Sequence, residues 1–233
     1  MIVGIFTLIS LLLFGDAQQY FFVENLEKGV KEYVVDKERS NEIKMLLKEV
    51  KDETKSFNKV RKKQLKELRS MNLNVELERN DFTELFDQLA EKRSEYQRKV
   101  ISQRIHAVEK IENEEWQNII DYSNAALDKQ IAKAEKKKKK NEKDAFASVE
   151  KTIIKSLTNT DNQNAALSAL NKLKSDLNDM NQGFLDINTK ENKVLINKSA
   201  SLSDGMAISE EMNSLRAKAW NSMLDFRFTL KDI

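Results

Sequence analysis

His106 and Glu109 stand one helical turn apart, the spacing at which an imidazole and a carboxylate can share a metal ion. Two ligands without a second pair do not complete a site, and His106 is the only histidine in the chain. A histidine-rich metal box and a Ser-His-Asp triad are therefore excluded elsewhere. Cysteine is absent, which removes disulfides, thiolate ligands and cysteine nucleophiles. Adjacent acids such as Glu114 and Glu115 diverge around a helix and make no catalytic dyad, and no glycine-rich phosphate loop occurs. The expectation is of no enzyme, no metal and no cofactor.

Charge is what the residue types leave. The chain carries 40 basic and 38 acidic residues, a net charge of +2, too balanced for a nucleic-acid partner. The positive excess lies in residues 123–144, with 8 basic and 4 acidic side chains, centred on "KAEKKKKKNEK" from Lys133 to Lys143. This tract reads as a solvated, lysine-rich helix or linker in preference to an anion-binding patch.

The elements that carry these residues are helices. There is no proline and there are only five glycines among 233 residues, so turn formers are too scarce for a sheet. The fold class is all-α. With 33% charged and 7% aromatic residues, each helix buries one stripe, which predicts long amphipathic hairpins in a thin, elongated bundle or cradle. From Asp36 to Met71 the apolar positions Ile43, Leu47, Val50, Phe57, Val60, Leu65 and Leu68 recur at three and four. A second stripe begins near Asp81 and runs through Phe82, Leu85, Leu89, Tyr96, Val100 and Val108 to Ile111. The bend between them lies within Asn72 to Asn80.

At "KIENEEWQNII" Asn113 is expected to cap a restarted helix, with Glu114 and Glu115 at the positive end of its dipole. That helix carries Trp116, Ile119 and Ile120, enters the lysine tract and continues through Phe146, Val149 and Ile153. The second half repeats the scheme. Asp161 is the expected cap of a helix bearing Ala166, Leu170, Leu173, Leu177 and Met180 and reaching Leu202, and "SDGMAISEEM" is expected to restart at Ser209.

The opening "MIVGIFTLISLLLFGDAQQ" has an apolar run from Ile2 to Phe14 that spans about 20 Å as a helix, short of the roughly 30 Å hydrocarbon core. Gly15 and Ala17 supply the small residues of a secretory cleavage site, giving a mature start at Gln18; a retained anchor is the alternative. Either places the body outside the cytoplasm, with membrane contact only if the segment is retained. The expected organisation is a signal or anchor at 1–17, a helical hairpin domain at 18–132, a lysine-rich linker at 133–144 and a second helical domain at 145–233.

Four short stretches, "VDKER" at Val35, "IENEE" at Ile111, "LTNTD" at Leu157 and "ISEEM" at Ile208, resemble the LTxxQ-type helix starts of the Spy/CpxP family of periplasmic helical proteins. Only Leu157 with Thr158 keeps the first two letters, and none keeps the glutamine. The similarity covers Val35 to Tyr122, and Leu157 to Phe228 as a diverged second copy. The resemblance implies a curved cradle, a homodimer, and ATP-independent shielding of unfolded polypeptide clients or envelope-stress sensing. A surface mixing cations with apolar groups suits that role, since it holds many chains weakly. Its candidates are Phe57, Arg61, Lys62, Lys66, Arg69 and Met71 on the first long helix, with Arg93, Arg98 and Arg104 on the second. Phe57 and Met71 also sit on the core stripe, where burial competes with recognition. The alternative function is a structural or accessory subunit of an envelope protein complex.

Overall fold

A computed structural model describes residues 23–232, so the expected signal or anchor at 1–17 lies outside the described residues, as do the side chains of the lysine tract. The described chain is all-α, with six helices: α1 (Val23–Tyr33), α2 (Lys37–Leu73), α3 (Arg79–Glu109), α4 (Asn113–Ser156), α5 (Thr160–Ile196) and α6 (Leu202–Lys231). None of the described helices is long and apolar enough to cross a membrane.

The α2 stripe buries Ile43, Leu47, Val50, Phe57 and Leu68. Asp36 caps the helix, its carboxylate accepting the Arg39 N–H at 2.9 Å. With 37 residues α2 is about 55 Å long, and α3 runs back along it. Tyr96 links the two at mid-length: its ring stacks on Phe57 with centroids 4.6 Å apart, and its hydroxyl bonds to Thr54 at 3.1 Å. α5 and α6 form a second antiparallel hairpin, and α6 docks on α3. Phe86 stacks on Trp220 at 5.1 Å and Gln97 accepts from Asn213 at 2.8 Å across that seam. α1 packs on α2 and on the start of α4, and the end of α4 packs on α5, so neighbours close in the order α1, α2, α3, α6, α5, α4.

Three helix starts differ from expectation. Glu112, not Asn113, is the N-cap of α4, and the Glu115 carboxylate takes the Glu112 N–H at 3.0 Å. The longer acid side chain reaches back across the turn, so the acid pair itself makes the cap. Asn159, not Asp161, caps α5, because its side-chain oxygen receives the N–H groups of Asp161 and Asn162. α5 stops at Ile196 and α6 starts at Ser201, whose reciprocal bonds with Asp204 satisfy both N–H groups. Ser209 is inside α6, buried, and donates to the Gly205 carbonyl at 3.1 Å.

These boundaries expose an internal repeat. α2 and α5 are each 37 residues, and Lys37 and Leu73 map onto Thr160 and Ile196 at one displacement of 123 residues (160 − 37, 196 − 73). The same displacement carries α1 onto the last turns of α4 and α3 onto α6. It also carries cap onto cap: Asp36 onto Asn159, Asn74 onto Asn197, and the Glu78/Asp81 box onto Ser201/Asp204. The ion pair Glu27–Lys51 falls on Glu150–Lys174. Buried positions coincide as well, Leu47 with Leu170, Val50 with Leu173, Phe57 with Met180, Leu89 with Met212, Arg93 with Arg216 and Arg104 with Arg227. Copy one spans 23–109 and copy two 146–232, without a gap. They meet through equivalent faces, α3 antiparallel to α6, as subunits of an isologous dimer do.

A candidate protein-binding face on the first hairpin

The nine residues marked by the sequence divide sharply. Phe57 is buried beneath Tyr96, and Arg93 and Arg104 are buried too, so none of the three presents a surface to a partner. The Arg93 guanidinium stands 5.5 Å from the Phe57 ring centre and that of Arg104 stands 5.9 Å from Trp116. Their repeats do likewise, Arg216 over Phe184 at 5.1 Å and Arg227 over Phe82 at 4.4 Å. Flat, weakly hydrated guanidinium groups tolerate such stacking, which is why arginine occupies stripe positions here. The Arg227 Nη2 donates to the Asn74 carbonyl at 3.0 Å, and burial lowers its pKa from the usual arginine value. These four arginines belong to the packing between helices.

Arg61 and Met71 are half-buried. Lys62, Lys66, Arg69 and Arg98 are exposed. The structure brings the first three into a longer row. Lys55, Lys59, Lys62, Lys66 and Arg69 recur at four, three, four and three residues, all exposed, on the side of α2 away from its buried stripe. Fourteen residues at 1.5 Å make the row about 21 Å long. It ends at the turn into α3, where Leu73 and Val75 are 70% and 66% exposed, an apolar tip that the sequence reading did not single out. The signal for both was present, in the three-four spacing of the cations and in two apolar residues set inside a polar turn.

An acidic row lies on α3, on the flank of the hairpin where Lys99 and Gln103 meet Glu53 and Glu49, opposite to the flank that carries the α2 cations. Glu84, Asp87, Glu91 and Glu95 are exposed on the outer side of α3 at spacings of three, four and four. Facing residues of the antiparallel pair keep a numbering sum near 152, as in Glu49 with Gln103 and Glu53 with Lys99. Lys66 is therefore level with about residue 86 (152 − 66) and Lys59 with about residue 93 (152 − 59), so the acids alternate in height with the cations. At the base end of the rows Lys55 pairs with Asp52, and the hydrogen bond and charge of Lys55 hold the Asp52 carboxyl below its usual pKa. Glu95 pairs with Lys92 at 3.1 Å.

The repeat supplies an internal reference. The positions of the α2 cations are Asn178, Gln182, Leu185, Thr189 and Asn192 in copy two, and those of Glu84, Glu91 and Glu95 are Ala207, Ser214 and Lys218. The cationic row is thus confined to copy one, whereas the acidic row keeps one member in copy two, Glu210 at the position of Asp87. His106 is exposed, and no group of three or more metal-binding side chains forms among the described residues. Comparisons with family models, with curated proteins and with solved structures find no match.

Proposed function

We propose that the chain is an exported, non-catalytic binding protein, Spy-like in manner, that holds polypeptide partners along the exposed cationic side of α2 and the turn that follows it. The observation that supports this reading most is the cationic row of α2, whose five positions carry no basic residue in copy two, running up to the exposed Leu73 and Val75. Lys62, Lys66 and Arg69 attract a chain by charge, and Leu73 and Val75 give it an apolar hold at the turn. Weak, many-point contacts of this kind accept varied sequences. Clients are unfolded polypeptides or envelope proteins, and no nucleotide is consumed.

The test is suppression of aggregation of a reduced, unfolded client by an equimolar amount of the purified chain without ATP. The wild type is expected to suppress it, and the variant Lys62→Glu/Lys66→Glu/Arg69→Glu to lose most of that effect at unchanged helicity. No suppression by the wild type refutes the reading. Intact mass decides export with cleavage: a start at Gln18 supports it, and a start at Met1 assigns a retained anchor.

A further inference from the structure

Each hairpin is accompanied by a further helix, and the two copies differ in how far it goes. In copy two α4 is held on α5 at both ends. The Trp116 Nε1 donates to the Ile196 carbonyl at 2.9 Å and Lys198 reaches Asn113 at 3.0 Å, while Glu150 pairs with Lys174 and Gln163 donates to the Ile154 carbonyl at 3.1 Å. In copy one α1 takes the place of the end of α4, with Glu27 on Lys51, and the described helix begins at Val23. Lys55, Lys62, Arg69 and Leu73 lie 4, 11, 18 and 22 residues beyond Lys51, which keeps them on the side where α1 packs. Leu73 is the counterpart of Ile196 and is 70% exposed. We propose that this side of α2, from Lys55 to Leu73, takes an acidic amphipathic helix of a partner polypeptide, laid along α2 as α4 is laid along α5. The inference rests on the preceding reading of this side as a protein-binding one and names the partner's charge and conformation.

Charge sets the sign of the partner. Among the described residues no carboxylate pairs with Lys59, Lys62, Lys66 or Arg69. The stretch of α4 between its anchors on α5 carries the lysine tract, and the five α5 positions that match the row carry no cation, which avoids like charges on neighbouring helices. Copy one reverses the assignment: with the cations on α2, the accompanying helix has to bring carboxylates. Spacing sets its conformation. Five cations in about 21 Å stand about 5 Å apart, close to the distance between turns of a facing helix. Same-side residues of an extended chain are about 6.7 Å apart and fall out of step with them. Leu73 and Val75 call for an apolar side chain at the end that passes the turn, where Trp116 meets Ile196 in copy two. The chain's own apolar run, Ile2 to Phe14, contains no carboxylate and does not meet that description. A nucleic acid or a lipid headgroup meets the cations but leaves Leu73 and Val75 without an apolar contact. The mode is that of an amphipathic helix in a groove, with charge supplying most of the attraction.

Labelled synthetic peptides test it by fluorescence anisotropy at low salt. The first is alanine-rich, with glutamates spaced four and three apart on one side and leucines at its N-terminal end. The second has the same charges and a central Ala→Pro change that breaks the helix. The third replaces every glutamate by lysine. The wild type is expected to bind the first at least about tenfold more tightly than the second, to raise its helicity in difference dichroism, and to release it as salt screens the ion pairs. Lys62→Glu/Lys66→Glu/Arg69→Glu is expected to lose that binding by at least about tenfold and to bind the lysine peptide instead. All three positions are exposed, and circular dichroism checks that the variant keeps the helical content of the wild type. A wild type that binds neither acidic peptide overturns the proposal, as does equal binding of the first and second, or a variant that binds the first as the wild type does. Tighter binding to oligothymidylate or to phosphatidylglycerol vesicles than to the first peptide assigns the row to another partner and overturns it. Self-association of the wild type that the variant abolishes assigns the row to a second copy and overturns it as well. A chain that protects an unfolded client but does not prefer the helical peptide sinks this inference alone, whereas one that prefers the peptide and protects no client sinks the client-shielding reading alone.

Discussion

Replacing Trp220 by alanine tests whether the two copies form one cooperative body. Trp220 is 1% exposed, and its ring lies 5.1 Å from that of Phe86 at 17°, across the seam where α6 docks on α3. An aromatic of this size buries about 150 to 250 Å², worth about 4 to 6 kcal/mol at 25 cal/mol per Å². Truncation of buried Phe or Trp to Ala costs about 3 to 5 kcal/mol, and the lower figure is the better guide because neighbours relax. At about 2 to 4 °C per kcal/mol for a chain of this size, the midpoint should fall by roughly 6 to 20 °C. Trp116 is the other of the two tryptophans, so in Trp220→Ala its fluorescence reports the base of α4 alone, while far-ultraviolet dichroism reports all helices. Both signals should shift together in urea. A second change, Phe86→Ala, should show a coupling of about 0.5 to 1.5 kcal/mol with the first. A loss below about 1 kcal/mol, or a dichroism shift with the Trp116 transition left in place, would refute docking as the source of a single body.

Acid provides an independent test of the seam. Burial pushes the Asp225 pKa up, but hydrogen bonds and charges from Lys172 and Arg79, each at 2.8 Å, outweigh it and leave the carboxyl below its usual range. The unfolded chain therefore binds this proton more readily, so the contribution is complete above about pH 4 and is lost as pH falls through the folded pKa. Asp225→Asn should lower stability at neutral pH and flatten the acid limb of a denaturation series; an unchanged limb refutes the linkage. At Gly29 an added Cβ would come within 2.9 Å of the buried Ile119 side chain, so Gly29→Ala should cost about 1 to 2 kcal/mol after its helix-propensity gain. Faster amide exchange in α1 would register it, and unchanged exchange would count against a close α1–α4 contact. Ser201→Ala removes the α6 cap and should cost about 1 kcal/mol by thermal denaturation, against no loss for the exposed mid-helix Ser214→Ala.

Much of the scaffold was legible because stripes need no knowledge of partners. The apolar run from Ile43 to Leu68 predicts α2, and the absence of breakers carries α4 unbroken through the lysine tract. Burial of Arg93 and Arg104 was not legible, since it depends on Phe57 and Trp116, which come from other helices. The restart of copy two was misplaced because "ISEEM" looks like "IENEE", whereas the serviceable cap is the Ser-x-x-Asp of 201–204. That likeness pairs Ile111 with Ile208, a displacement of 97 (208 − 111), and hides the repeat at 123. Paired positions such as Gln97/Trp220 or Thr54/Leu177 share a place in the core and not a residue type, so only burial reveals their equivalence.

The same pairs predict where the molecule opens first. Copy one keeps polar groups in its core, Thr54, Gln64 and Gln97, where copy two has Leu177, Ile187 and Trp220. Thr54 spends its hydroxyl on Val50 and Tyr96, and the Gln64 side-chain oxygen finds no hydrogen-bond partner. Each apolar replacement of this kind adds about 1.5 to 3 kcal/mol of burial, against about 1 kcal/mol for a satisfied hydrogen bond. The exchange also runs the other way, Ile43, Phe82 and Tyr96 falling on Ala166, Gly205 and Ala219, so the cost of polar burial is local to the outer half of α2, where Gln64 sits. Native-state amide exchange should find the outer half of α2, residues 57–72, opening at least about 30-fold more readily than the middle of α6, a gap of about 2 kcal/mol. Filling the polar core with Gln64→Ile should narrow that gap. Equal protection of the two segments in the wild type would mean that the buried polar groups of α2 carry no cost.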